Sequence, residues 1–157
     1  MSTILLATDA PWVRNEINAA LAGSDTTVKV VGDGRHVLVS CKTQLPDLVI
    51  CDLQVGNMGG VATTMALRHE ESGGRMEHVP VLMLLDRVAD VHLARRSGAE
   101  GWIVKPLDAV RLRAAARALL SGGTFAEGVP VVPAEVADEA ISEAVEESTE
   151  PEAVSAG

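Results

Sequence analysis

The chain has 157 residues, 47% hydrophobic and 22% charged, the mix of one ordinary globular domain. Aromatics are 2% (Trp12, Trp102 and Phe125), too few to stack the bases of single-stranded nucleic acid. A formal net charge of -9 disfavours binding to a phosphate backbone.

The charge is unevenly placed. Residues 1–120 hold all 13 Lys and Arg and 13 of the 22 acids, so they are formally neutral. Residues 121–157 hold the other nine acids and no base. This predicts a domain over 1–120 and an acidic, solvated tail over 121–157. Cys41 and Cys51 make no disulfide framework, and Cys51 reads as a small core residue. The start lacks a basic n-region, and no apolar run approaches the roughly 18 residues of a membrane span. A cytoplasmic location away from membranes is the expectation.

Thr3 to Thr8 is a short apolar run that meets Asp9 and Pro11, which predicts a strand, a loop and a helix with proline in its first turn. That helix repeats Val13, Ile17 and Leu21, and Gly23 stops it. Thr26 to Val31 is β-branched and predicts a strand; a turn over 32–34 and a short helix to about Lys42 follow. Pro46 opens the apolar strand that carries Asp52 near its end. After a loop over 57–60, Val61 to about Ser72 is helical. Val79 to Leu85 predicts a strand bounded by Asp86, residues 88–97 a helix ended by Gly98, and Trp102 to Val104 a strand meeting Lys105 and Pro106. Leu107 to Leu120 is a helix rich in Ala, Arg and Leu. In the tail, Val129 to Pro133 reads as extended, and Val136, Ala140, Ile141, Ala144 and Val145 form a thin apolar stripe.

The order is β then α, five times. Strands that read as continuous apolar runs are buried on both faces, so the expected fold is α/β, a doubly wound five-stranded parallel sheet with helices on both faces. Sites in such sheets lie at the carboxyl ends of the strands. There the sequence sets Asp9, Asp52 and Lys105, with Asp86 after Leu85 either plain loop or an extra acid near the rim. Converging carboxylates repel, and a divalent cation or an ammonium relieves them. Mg²⁺, a hard ion with oxygen ligands, suits such a rim, and Lys105 suits an anion.

This pattern resembles the receiver domain of two-component response regulators. The resemblance covers residues 3–120 and rests on ILLATDAP, PDLVICDLQVGNMGG, HVPVLMLLD and, most specifically, GAEGWIVKPLD. It implies the flavodoxin-like strand order 2-1-3-4-5. It also implies that Asp52 accepts a phosphoryl group from a histidine kinase or phosphotransfer protein. Asp9, Asp52 and the Gln54 carbonyl would hold Mg²⁺, and Lys105 would meet the phosphoryl oxygens. Trp102 would be the aromatic of the switch. The face of the fourth helix, fifth strand and fifth helix would meet partners, including a second copy of the chain.

Three departures qualify this. Thr8 stands where the family has a second acid, which predicts weak Mg²⁺ binding. Leu85 stands where a Ser or Thr hydrogen-bonds the phosphoryl group. Val55-Gly56 and Gly59-Gly60 replace Met-Pro and Asp-Gly in the loop after Asp52.

Plainer readings stand beside these. Asp9 caps the helix at Pro11, Asp52 caps a loop, Lys105 is a surface lysine, and Trp102 is packing. Arg95, Arg96, Arg111, Arg113 and Arg117 are either a solvated basic surface or a dock for an acidic segment such as the chain's own tail. The four histidines lack zinc spacing, and no dinucleotide, Walker or triad pattern occurs. The 37 residues after Leu120 are too few for an output domain. The expectation is thus a stand-alone atypical response regulator acting by protein–protein contact, not an enzyme and with no direct nucleic-acid binding. The alternatives are a pseudo-receiver adaptor that is never phosphorylated and, from another class, a flavodoxin-like enzyme.

Overall fold

The structure, a computed structural model, describes residues 1–127. The expected extended run at 129–133, the apolar stripe at 136–145 and most of the acidic tail lie outside the described residues.

Six parallel strands form one sheet: β1 (Ser2–Ala7), β2 (Thr26–Val31), β3 (Leu48–Asp52), β4 (Val81–Leu85), β5 (Gly101–Val104) and β6 (Phe125–Ala126). Their order is β2-β1-β3-β4-β5-β6. The first five match the expected order. The sixth is an addition, because Ser121 to Gly123 reads as a linker and a two-residue strand has no periodicity to detect. The connecting helices are α1 (Pro11–Leu21), α2 (Gly34–Thr43), α3 (Gly60–Ser72), α4 (Val91–Ser97) and α5 (Ala109–Leu120). A 3₁₀ turn at Val88–Asp90 precedes α4.

Period-two alternation divides the core. Ile4, Leu6, Leu48, Ile50, Leu82, Leu84 and Ile103 face α1 and α5, meeting Val13, Ile17, Leu112 and Leu119. Leu5, Ala7, Val49, Cys51 and Val81 face the opposite way, against Val37, Cys41 and Leu67. Met83 and Trp102 continue that second face against Val91 and Ala94 of α4. All five residues of β3 are buried, which is why the strand reads as an unbroken apolar run ending in one carboxylate. Each buried aliphatic side chain contributes about 1.5–3 kcal/mol.

The loops at the carboxyl end are pressed together. A Cβ on Gly34 would lie 1.9 Å from the Met58 carbonyl oxygen, so only glycine fits where the turn into α2 meets the loop after β3. Asp33 caps α2 through Arg35 N–H and accepts from Asn57 Nδ2 at 2.7 Å across the same junction. Its hydrogen bonds to Arg35 hold its carboxyl down at about 2. Among the described residues no helix is long and apolar enough to cross a membrane.

Candidate functional site

Leu6, Ile50, Leu84 and Ile103 all point to the α1/α5 side of the sheet. Two residues beyond each stand Thr8, Asp52, Asp86 and Lys105. One further step of the strand alternation carries all four to the same side at the carboxyl end.

There Asp52 is 2% exposed, and both of its oxygens are engaged. Oδ1 accepts from Lys105 Nζ at 2.7 Å and from the Gln54 N–H at 3.3 Å. Oδ2 accepts from the Thr8 hydroxyl at 3.0 Å, and Thr8 Oγ1 itself accepts the Ala10 N–H at 3.1 Å. Lys105 Nζ also reaches Asp86 Oδ1 at 3.0 Å, so one ammonium serves two carboxylates. It lies 5.5 Å from the ring centroid of Trp12, a half-exposed side chain on α1. Burial pulls the Lys105 pKa down, but the bonds to Asp52 and Asp86 outweigh it and leave the group above its ordinary value. The neighbouring Cys51 thiol is pushed up to about 12 by burial and by the Asp52 charge, which makes it inert.

Asp9 is exposed and stands apart from this network. Among the described residues no hydrogen bond or ion pair joins it to Asp52 or Lys105. It does not cap α1 either, whose N-cap is Ala10 without a side-chain bond. Its Oδ2 lies against the loop after β3, 3.1 Å from where a Cβ on Gly56 would sit. Among the described residues no group of three or more His, Cys, Asp and Glu is placed to hold a metal. What this end of the sheet offers Mg²⁺ is two carboxylates, Asp9 and Asp52, and backbone carbonyls of the following loop. That is a hard oxygen set, suitable in kind, with the Thr8 hydroxyl turned to Asp52.

The residues expected to form the switch and interface lie on the other face of the sheet. Leu85 is fully buried and packs with Met83, Val91 and Trp102. Trp102 is 6% exposed, and its Nε1–H donates to the Glu127 carbonyl at 3.0 Å. Arg95 lies 5.9 Å from the Trp102 ring centroid, and Arg96 is exposed beside it on α4. Arg111 faces Glu127 of the β6 segment. Arg113 turns instead to α1, donating to the Ala20 carbonyl at 3.0 Å, and with Arg117 borders a groove between α1 and α5. Five arginines therefore do not form one basic face. Part of the face expected to meet partners is covered by the chain's own β6.

Sequence reasoning placed Thr8 as a weak metal ligand and missed its bond to Asp52. The contact of Lys105 with Trp12 and the placement of Glu127 carry no signal in the sequence. Asp86 carried a signal, since it stands in the same alternation as Asp52.

The model of the response regulator receiver domain matches residues 4–117. The chain belongs to that family. It is 34% identical over 119 residues to the DNA-binding response regulator MtrA of Mycolicibacterium smegmatis, covering 74% of this chain and 50% of that protein. It is 31% identical to the transcriptional regulatory protein CseB of Streptomyces avermitilis, covering 84% of this chain and 54% of that one. The chain thus spans about half the length of the curated relatives it matches. Among solved structures, the chemotaxis response regulator CheY4 of Vibrio cholerae superposes with a TM-score of 0.66 at 24% identity, over 74% of this chain and 97% of that one. The receiver domain of sensor histidine kinase PA1611 from Pseudomonas aeruginosa, described with a magnesium ion coordinated in its active-site cleft, gives 0.67 at 24% identity, over 76% and 98%. In this receiver the lysine–aspartate pair is formed, with Thr8 on the second oxygen of Asp52.

Proposed function

We propose that this receiver accepts a phosphoryl group on Asp52 and passes the signal on through protein–protein contacts. The observation that carries the reading is the 2.7 Å contact between Lys105 Nζ and a buried Asp52 carboxylate at the carboxyl end of β3. A donor of the class of a phosphohistidine protein fits it. The Asp52 carboxylate attacks phosphorus, the P–N bond breaks, and the imidazole nitrogen leaves with the electron pair and takes a proton. Lys105 then neutralises a phosphoryl oxygen, and the Thr8 hydroxyl keeps the carboxylate oriented. Mg²⁺, held by Asp9, Asp52 and the Gln54 carbonyl, would supply charge neutralisation at the transferring oxygens.

The proposed rate is low. Thr8 costs the metal one carboxylate, Leu85 donates no hydrogen bond to the product, and Asp86 competes for Lys105. These same three observations favour the second reading, a receiver that binds partners without being phosphorylated. Direct nucleic-acid binding is not part of the proposal for residues 1–127, which hold 13 Lys and Arg against 14 acids.

Beryllium fluoride, a phosphoryl mimic, tests the site. With Mg²⁺ present it should displace Lys105 from Asp52 and Asp86, and Trp12 emission should change saturably. Asp52→Asn should abolish the change. A wild-type emission that stays flat in Mg²⁺ and beryllium fluoride favours the second reading.

A further inference from the structure

The outer edge of β5 is filled by the chain itself. Gly101 and Trp102 pair with Phe125 and Ala126, and a Cβ on Gly101 would lie 2.9 Å from the Phe125 carbonyl oxygen. Phe125 packs partly buried against the α1/α5 core. Two positions later, Glu127 is received by a built site. Its carboxylate accepts the Val104 N–H at 3.2 Å and pairs with the Arg111 guanidinium, and its carbonyl accepts the Trp102 indole N–H at 3.0 Å. Three donors of different kinds converge on one residue. Yet the strand is only two residues long, Ala126 is exposed, and it hangs from Gly122, at φ 85°, and Gly123. Three contacts to Glu127 therefore anchor a segment whose strand is two residues long.

We infer that the β5 edge is a docking groove for an extended segment with an apolar residue followed two positions later by a carboxylate, and that residues 125–127 are its resident ligand. Recognition is by strand addition, with backbone bonds for affinity and the Arg111–Val104–Trp102 site for specificity. The tethered resident holds the groove at an effective concentration in the millimolar range, about what a short flexible linker provides. A partner carrying the same pattern enters when Glu127 is displaced. The inference stands apart from phosphorylation of Asp52, and its test contains no phosphoryl donor.

The test uses the full chain with Trp12→Phe, so that Trp102 alone reports. The probe is an amidated synthetic peptide of residues 121–127. Adding Glu127→Ala should open the groove. That variant should take up the peptide with a saturable change in Trp102 emission, about tenfold or more tighter than the form retaining Glu127. A peptide with Gln in place of the glutamate should bind about tenfold more weakly, the value of one charge-assisted contact. Equal titrations of the two forms, no response in either, or equal binding of the Gln peptide would overturn the inference. Should Glu127→Ala misfold by circular dichroism, Phe125→Ala is the second opener, and the same outcomes decide.

Discussion

The two faces of the sheet meet different fates at the carboxyl end. On the α1/α5 side, Thr8, Asp52, Asp86 and Lys105 form a polar cluster in which each oxygen of Asp52 has a partner. On the α4 side, Leu85 and Trp102 are buried in apolar contact, and Trp102 is tied to Glu127. The polar cluster is suited to respond to an added charge. The apolar one presents no hydrogen-bonding side chain at Leu85, which is enclosed by Met83, Val91 and Trp102. One sheet therefore carries a fully paired carboxylate on one face and dry packing on the other at the same end.

The comparison breaks most visibly at Lys105. Lys105→Met leaves Asp52 buried without its cation, and urea unfolding should show a loss of about 3 kcal/mol. Should stability be unchanged, the pair does not organise this end of the sheet. The Lys105 pKa is raised in the fold, so its stabilisation is complete below its ordinary value of 10.5 and fades as pH rises through the higher folded value. The wild-type advantage over the Met variant should shrink in that alkaline window.

Thr8→Asp asks whether the missing acid limits the metal. A new carboxylate beside Asp52 should cost about 2 kcal/mol without metal, half the Coulomb value at 4 Å in an effective dielectric near 20, since Lys105 offsets part of it. Mg²⁺ should restore that stability and bind about tenfold or more tighter than to wild type, read by calorimetry. Unchanged Mg²⁺ affinity would separate Thr8 from the metal question.

Leu85→Thr sharpens the contrast between the faces. A hydroxyl placed among Met83, Val91 and Trp102 should cost about 1–3 kcal/mol in thermal or urea unfolding. The smallest effect is expected at Asp33, whose carboxyl is held at about 2 against an ordinary 3.8. Its contribution is present above 3.8 and lost as pH falls toward 2. Asp33→Asn should lose that contribution at neutral pH, flatten the acid limb of the stability profile, and converge with wild type as pH falls toward 2.

The first five strands were legible because each is a short apolar run with an acid or a turn at its end, and β3 is the clearest case. The site was legible in outline because Asp52 and Lys105 end such runs. Contacts that depend on where side chains turn were not. Thr8 reads as a lost ligand until its hydroxyl is seen on Asp52. Arg113 reads with Arg111 until it is seen bonded to Ala20. Strand β6 was hidden because two residues after a Gly-Gly pair acquire meaning only from the β5 edge and from Arg111.

Nucleophilic attack by Asp52 is tested most directly by the intact mass of the protein after acetyl phosphate and Mg²⁺. The expected result is slow gain of one phosphoryl group, labile at alkaline pH and absent in Asp52→Asn. A wild-type mass that does not change, or a gain that persists in Asp52→Asn, would contradict it.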